Sequence, residues 1–335
     1  LSVGAAETDQ EGTVEGASAL WRDRERPASG KAGLVSKARG DYRRIIAALY
    51  SQGYFGPEIS IRVAGTEAAD LTLAADIPDG VPVSVTVNPG PRFRFGALDI
   101  VNAPPFQDDD DDLDFVDPPS TAGFERGEPA LTGAIGRASS LSIERWRQLS
   151  HAKAQETNRE IVADHPSDRV NVRLTLDPGP AVRFGPTTVT GESRLDPDFI
   201  AYMASLQPGA PFDPDSVKDA EDRLARMGVF RSFRIEESET VLADGTLPMA
   251  ISVEDRRRRA IGFGATYSTL DGLGLSAYWL HRNLLGRAER LRFDASIERL
   301  LTSVDPSDYR YNLGVTFTRP GTFDPDTSFI ASALA

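Results

Sequence analysis

Residues 87–96 read VNPGPRFRFG, and residues 176–185, eighty-nine positions later, read LDPGPAVRFG. A segment written twice, with Pro-Gly-Pro set between runs of alternating apolar residues, restricts the chain to folds built from copies of one small unit. A longer repeat lies behind it. In DYRRIIAALYSQGYF (41–55) and SVKDAEDRLARMGVF (216–230), offset by 175, Leu49 matches Leu224, Gly53 matches Gly228 and Phe55 matches Phe230. Tyr42, Ile45, Ile46 and Leu49 mark one face of a helix, and Val217, Ala220, Leu224 and Met227 nearly do the same. Gly53 and Gly228 fall where a left-handed residue ends a helix.

After each helix the spacing predicts two period-two strands, EISIRV (58–63) and VPVSVTV (81–87) in one copy, RSFRIEE (231–237) and LPMAISVE (247–254) in the other. A middle copy reads as a helix over 142–154, with Ser150 in place of the glycine, and a strand over 169–176. DPDFIAYMASL (196–206) supplies the first helix of the last copy and FDPDSVKDAEDRL (212–224) the second. Each unit is thus strand, helix, helix, strand, strand, and the first lacks a legible opening strand. Pro89, Gly90 and Pro91, like Pro178, Gly179 and Pro180, form the joints, since proline blocks ladder pairing between one sheet and the next.

From residue 258 the pattern changes. Ile261, Phe263, Ala265 and Tyr267 alternate with Gly262, Gly264, Thr266 and Ser268. LGLSAYWLH (273–281), ERLRFDASIE (289–298) and DYRYNLGVTF (308–317) alternate in the same way, with tyrosines 267, 309 and 311 near strand ends. Segments of about ten residues are long enough to cross a membrane as tilted strands, and equally suit a soluble sandwich.

Composition closes off several function classes. The 335 residues carry a net charge of −13, which opposes a nucleic-acid surface and leaves no nucleic-acid partner expected. Residues 257–335 carry +2 and the remainder −15, so the two parts meet different surroundings. Cysteine is absent, which excludes thiolate chemistry and disulfides. No stretch is long and apolar enough for a transmembrane helix. His151, His165 and His281 are too scattered for a zinc motif, and no nucleophile elbow, phosphate loop or dinucleotide fingerprint occurs. No catalytic residue, cofactor or metal is expected, and the chain does not read as an enzyme. The acidic run 107–114 lacks the glycine and ligand spacing of a calcium loop and reads as a solvated connection. Arg256 to Arg259 form a basic run suited to anionic headgroups, to the acidic unit beside it, or to plain solvation.

The unit joined by D-P-G-P-x-x-R-F-G, with its G-x-F helix end, resembles a POTRA (polypeptide-transport-associated) domain. Three such units, followed by GFGATYST, WLHRNLLG (279–286) and FTRPGTF (317–323), resemble the BamA/TamA superfamily of outer-membrane assembly proteins. The short series is most similar to the TamA (translocation and assembly module) branch; an unrelated tandem repeat is the alternative. The resemblance implies an α+β fold of tandem βααββ domains, with boundaries 1–90, 91–178, 179–256 and 257–335, the last holding about five strands of an antiparallel transmembrane barrel. It implies a bacterial outer-membrane location with the repeats in the periplasm, and as partners unfolded outer-membrane or autotransporter clients, an inner-membrane-anchored protein of the TamB type and outer-membrane lipids. Ile261, Gly262, Phe263, Gly264, Ala265 and Tyr267 become candidates for a lateral-gate strand, whose glycines either weaken pairing or make room for packing. The repeats' strand edges invite client peptides, or serve only as spacers. A two-partner secretion transporter and a soluble periplasmic scaffold are the competing readings. Opening without Met or an apolar leader and ending at TSFIASALA (327–335), the chain reads as a fragment that does not close a barrel.

Overall fold

The computed structural model describes residues 8–26, 28–78, 80–106, 115–269, 272–300 and 305–335; the acidic run 107–114 lies outside the described residues. The chain divides into two compact units, residues 1–146 with 154–178, and residues 147–153 with 179–335.

The first repeat contains helices α1 (Thr8–Ala17), α2 (Ala19–Arg22) and α3 (Gly30–Ser51), then strands β1 (Glu58–Val63), β2 (Thr66–Glu67) and β3 (Val83–Asn88). Its sheet has the order β2-β1-β3. Val35, Ala38, Ile45 and Leu49 of α3 bury against Ile61, Val63, Val85 and Val87. Four-residue α2 has too few internal hydrogen bonds to stand alone. It is capped by Ser18 and by a buried carboxylate from α3, Asp41, which accepts from the Ala19 and Leu20 amides at 2.9 and 3.0 Å. Tyr42 donates to Glu67, which fastens two-residue β2; burial first, and then that bond, push the Tyr42 hydroxyl up to about 12.

The second repeat runs β4 (Arg94–Val101), α4 (Thr132–Gln148), β5 (Gln155–Asp164) and β6 (Arg169–Asp177), with sheet order β4-β6-β5. The third runs β7 (Arg183–Glu192), α5 (Pro197–Ala204), α6 (Pro214–Met227), β8 (Phe230–Glu237) and β9 (Thr246–Asp255), ordered β7-β9-β8. In both, the opening strand lies parallel to a central strand whose other neighbour is antiparallel. Asp196-Pro197 and Asp213-Pro214 start α5 and α6: each aspartate accepts amides of the first turn while proline, which has no amide to leave unpaired, takes the first helical position. Phe184, Ile200, Phe212, Leu224 and Ile251 fill the core between these helices and the sheet.

Two expectations for the second repeat need correction. The helix occupies 132–148 rather than 142–154: its small residues Ala134, Ala138 and Ser139 pack closely on the sheet, and Ser150, at φ +68°, has already left the helix. The strand β5 carries no strand signature in the sequence, because Gln155, Glu156, Thr157, Asn158, Arg159 and Glu160 show no apolar alternation on an edge open to water.

The remaining strands, β10 (Arg259–Ser268), β11 (Gly272–Arg282), β12 (Arg290–Leu300), β13 (Arg310–Pro320) and β14 (Ser328–Leu334), form one antiparallel sheet in sequence order. The alternating segments of the sequence thus become a meander. Among the described residues β10 and β14 are its two edges, and the sheet is open. No helix is long and apolar enough to cross a membrane, which says nothing of crossing by strands.

Candidate functional site

Three features gather the residues singled out by sequence: the joints, the free strand edges and β10.

At the first joint Gly90 has φ +70° and at the second Gly179 has φ +62°, so both chains reverse in the left-handed region that glycine enters without cost. Beyond each glycine the backbone makes the same pair of hydrogen bonds. The Phe93 amide donates to the Gly53 carbonyl at 2.8 Å and its carbonyl accepts from Ala130 at 3.0 Å. At the second joint the Val182 amide donates to Ser150 at 2.9 Å and its carbonyl accepts from Phe212 at 3.0 Å. One residue therefore staples the helix exit of one repeat to the next. The helix exits supply a key as well. Phe55 enters the core of the second repeat, edge-on to Phe93 with ring centroids 5.7 Å apart, and Ala152, at the equivalent place, enters the core of the third. The G-x-F ending of the first repeat, which by sequence only stops a helix, thus also fixes that repeat to the second. His165 packs edge-on to Phe93, and a His151 ring nitrogen lies 2.8 Å from the Gly179 carbonyl, so both histidines serve the joints.

The repeats expose strand edges. Among the described residues β5 and β8 each pair on one side only, as does β3. On β5, Ile161 and Val162 are exposed beside a bulge at Glu156–Asn158; β8 carries Arg231, Arg234 and Glu236. Along β3, Leu20, Trp21, Leu34, Val83 and Val85 line a cavity of about 290 Å³.

The gate candidates all lie on β10. Ile261, Phe263, Ala265 and Tyr267 pair with Trp279, Ala277, Leu275 and Leu273, and the same face continues through Phe293, Ala295, Leu313 and Val315. This apolar face is open: Ile261, Phe263 and Tyr267 are 64%, 85% and 73% exposed. The opposite face is polar, with Ser276, Ser296, Asn312 and the ion pair Arg292–Asp294. Gly262 answers the question left by its sequence, since a side chain there would enter the ring of Tyr278, its cross-strand neighbour. Glycine at 262 makes room for packing. At 264 the neighbour is the Ser276 hydroxyl.

Sequence reasoning finds the words NLLG and TRPGTF without their role. The turn after β11 folds back on itself: Asn283, at φ +56°, accepts from Ala288 at 3.1 Å, and Glu289 accepts the Leu285 and Arg287 amides. Ala288 is buried in the core of the third repeat, and the Arg287 guanidinium lies 5.6 Å from the Phe199 ring centroid. In the turn after β13, Gly321 sits against Met203 and Tyr202 of α5, while Asp326 meets Arg223 and Arg226 of α6 at 2.9 and 2.8 Å. Two turns thus clamp the sheet to the third repeat. Arg223 foremost, with Arg226, holds the Asp326 carboxyl below its ordinary value of 3.8. Among the described residues no cluster of three or more His, Asp or Glu is placed to hold a metal ion.

No protein-family model matches the chain, and no curated protein matches it by sequence. Solved structures do match. BamA from Haemophilus ducreyi lacking POTRA domains 1–3 is 16% identical, with a TM-score of 0.53 over 72% of this chain and 42% of that one. BamA POTRA3–5 from Haemophilus influenzae is 14% identical, with a TM-score of 0.44 over 64% of this chain and 79% of that one. CdiB from Acinetobacter baumannii is 9% identical, with a TM-score of 0.39 over 72% and 44%. The chain shares the α+β fold of the H. ducreyi BamA structure, small sheets resembling POTRA domains followed by strands of a BamA-type barrel, and spans about two fifths of that structure's length.

Proposed function

We propose that this chain is the periplasmic arm and leading barrel strands of a bacterial outer-membrane protein assembly factor. The observation that carries the reading is β10. It is an edge strand with one backbone side unpaired among the described residues, set in a sheet whose apolar face is exposed while every repeat buries its own. In lipid such a face is at home, and an edge is a template for another strand. A soluble scaffold would cover the face with a second layer. The polar face turns to the lumen and the repeats stand in the periplasm.

The arm captures unfolded outer-membrane or autotransporter clients by strand addition at β5 and β8, a recognition indifferent to side-chain identity. The β3 edge, beside a cavity lined by Trp21, Leu34 and Val83 and by the charged Asp23, Arg24, Arg26 and Lys37, is where we place a long inner-membrane-anchored partner of the TamB type. The work of insertion comes from the client's own folding, so the factor needs no catalytic group. The test uses the full-length protein with a photo-crosslinking residue at position 264 and, separately, with residues 8–256 deleted. Client crosslinks at 264 and lost insertion on deletion are expected. Unchanged insertion without the repeats overturns the reading. Crosslinks to a single secreted partner, with outer-membrane clients untouched, would favour a two-partner transporter instead.

A further inference from the structure

Arg256, Arg257 and Arg258 connect β9 to β10, and Arg259 opens β10. Arg259 pairs His281 two residues before Ile261 pairs Trp279, so its side chain shares the apolar face and lies at the end of it beside the third repeat. Arg319 follows Val315 and Phe317 on that same face of β13 and pairs Phe329. Both arginines are exposed. Arg257 lines an open cavity of about 790 Å³ with Arg194, Arg256 and Arg258.

Of the three carboxylates that line this cavity, Glu192, Glu254 and Asp255, the last two are already engaged. Asp255 accepts from the Ser193 hydroxyl and the Arg194 amide, and Glu254 from Arg231 and Ser232. Elsewhere in the same unit arginines meet acids: Arg223 and Arg226 on Asp326, Arg231 on Glu254, Arg292 on Asp294. Among the described residues no ion pair involves Arg257, Arg259 or Arg319. In a chain of net charge −13, unmatched cations have collected where an exposed apolar face ends. Trp279, ringed by His281 and Phe293 on that face, stands one row further in, as aromatic residues do at a lipid–water boundary.

We propose that Arg257, Arg259 and Arg319 form a binding row for the phosphate headgroups of anionic phospholipids in the leaflet facing the repeats. The inference rests on the membrane reading above. The apolar face takes the acyl chains, and a guanidinium, planar and weakly hydrated, matches two phosphate oxygens at once. The row sets the depth at which β10 sits in the membrane.

Co-sedimentation of the full chain with vesicles of phosphatidylcholine alone, and of phosphatidylcholine with phosphatidylglycerol, tests it. The triple variant R257Q/R259Q/R319Q should lose roughly 100-fold of its binding to the anionic vesicles at low salt, the effect of three surface cations on an anionic leaflet. It should keep its binding to phosphatidylcholine, and a triple-lysine variant should retain most of the anionic preference. Arg231→Gln, which removes an already paired cation, should change neither. A triple-glutamine variant with wild-type preference overturns the row and leaves the membrane reading standing. A wild-type chain that ignores both vesicle types overturns both. Displacement from anionic vesicles by millimolar inorganic phosphate would reassign the row to the free ion.

Discussion

The central strands of the second and third repeats and the five strands after residue 258 are written in the same alternating hand, yet they treat water in opposite ways. In β6, Val170, Val172, Leu174 and Leu176 are buried, as are Leu247, Met249, Ile251 and Val253 in β9. In β10, Ile261, Phe263 and Tyr267 alternate just as regularly and stand exposed. What separates them is the partner. α4, α5 and α6 cover one face of the repeat sheets, and among the described residues the chain after β10 provides strands and a single 3-10 turn at Pro306–Asp308, with no α-helix. Alternation reports that a strand has two unlike faces, and only the neighbouring elements say which solvent each face meets.

The comparison breaks most directly at matched aromatic residues. Phe212→Ala should cost the third repeat about 3–5 kcal/mol, read as lost amide protection in α5 and α6. Phe263→Ala, in detergent, should cost less than about 0.5 kcal/mol. Equal costs would mean that the β10 face is covered after all. At the next scale, Gly262→Val should destabilise the sheet by about 1–3 kcal/mol through overpacking against Tyr278, and Tyr278→Ala in the same chain should recover most of the loss in thermal melts. Absence of recovery would return the glycine to the role of weakening strand pairing.

The two kinds of helix exit sharpen the picture further. Ser150 holds φ +68° and Gly228 holds φ +66°, so the same backbone is met by a residue that resists it and one that does not. Ser150→Gly should stabilise and Gly228→Ser destabilise, each by about 1 kcal/mol in chemical denaturation. A modest effect belongs to Asp326. Its carboxyl is depressed in the folded protein, so its contribution is complete above the ordinary value of 3.8 and is lost as pH falls through the depressed one. Asp326→Asn should cost roughly 0.5–1 kcal/mol at neutral pH, raise hydrogen exchange in residues 321–327, and abolish the acid-side loosening of that turn.

Much of the fold is written in local chemistry. Asp-Pro at 196 and 213 starts α5 and α6, Gly53 and Gly228 end α3 and α6, and the period-two runs after 258 become strands in the order written. What stays hidden depends on distant residues. Strand β5 is polar along most of its length and exists because β6 offers it a ladder. The start of α4 is masked by Gly133, Gly136 and a run of alanine and serine. Phe55 is legible as a helix ending, and only the second core shows it to be a key. The same holds for Asn283, whose amide reaches the Arg194 carbonyl eighty-nine residues earlier, at 3.4 Å. The gate candidates fall on one strand because they are consecutive in sequence; what that strand borders is not in the letters.

The strand β9 is the middle member of its sheet, and within a few residues the same chain becomes the outermost strand β10. Mechanically, the edge strand is a cable anchored at one end in the firmest part of the third repeat. Tension along that cable loads the bonds between β10 and β11 together, in shear, which resists strongly. A sideways pull loads them one at a time, like a zip, and each end of the strand is tied, to β9 before Arg259 and to β11 where Ser268 pairs Gly272. The edge strand therefore resists a pull along its axis and yields to one across it.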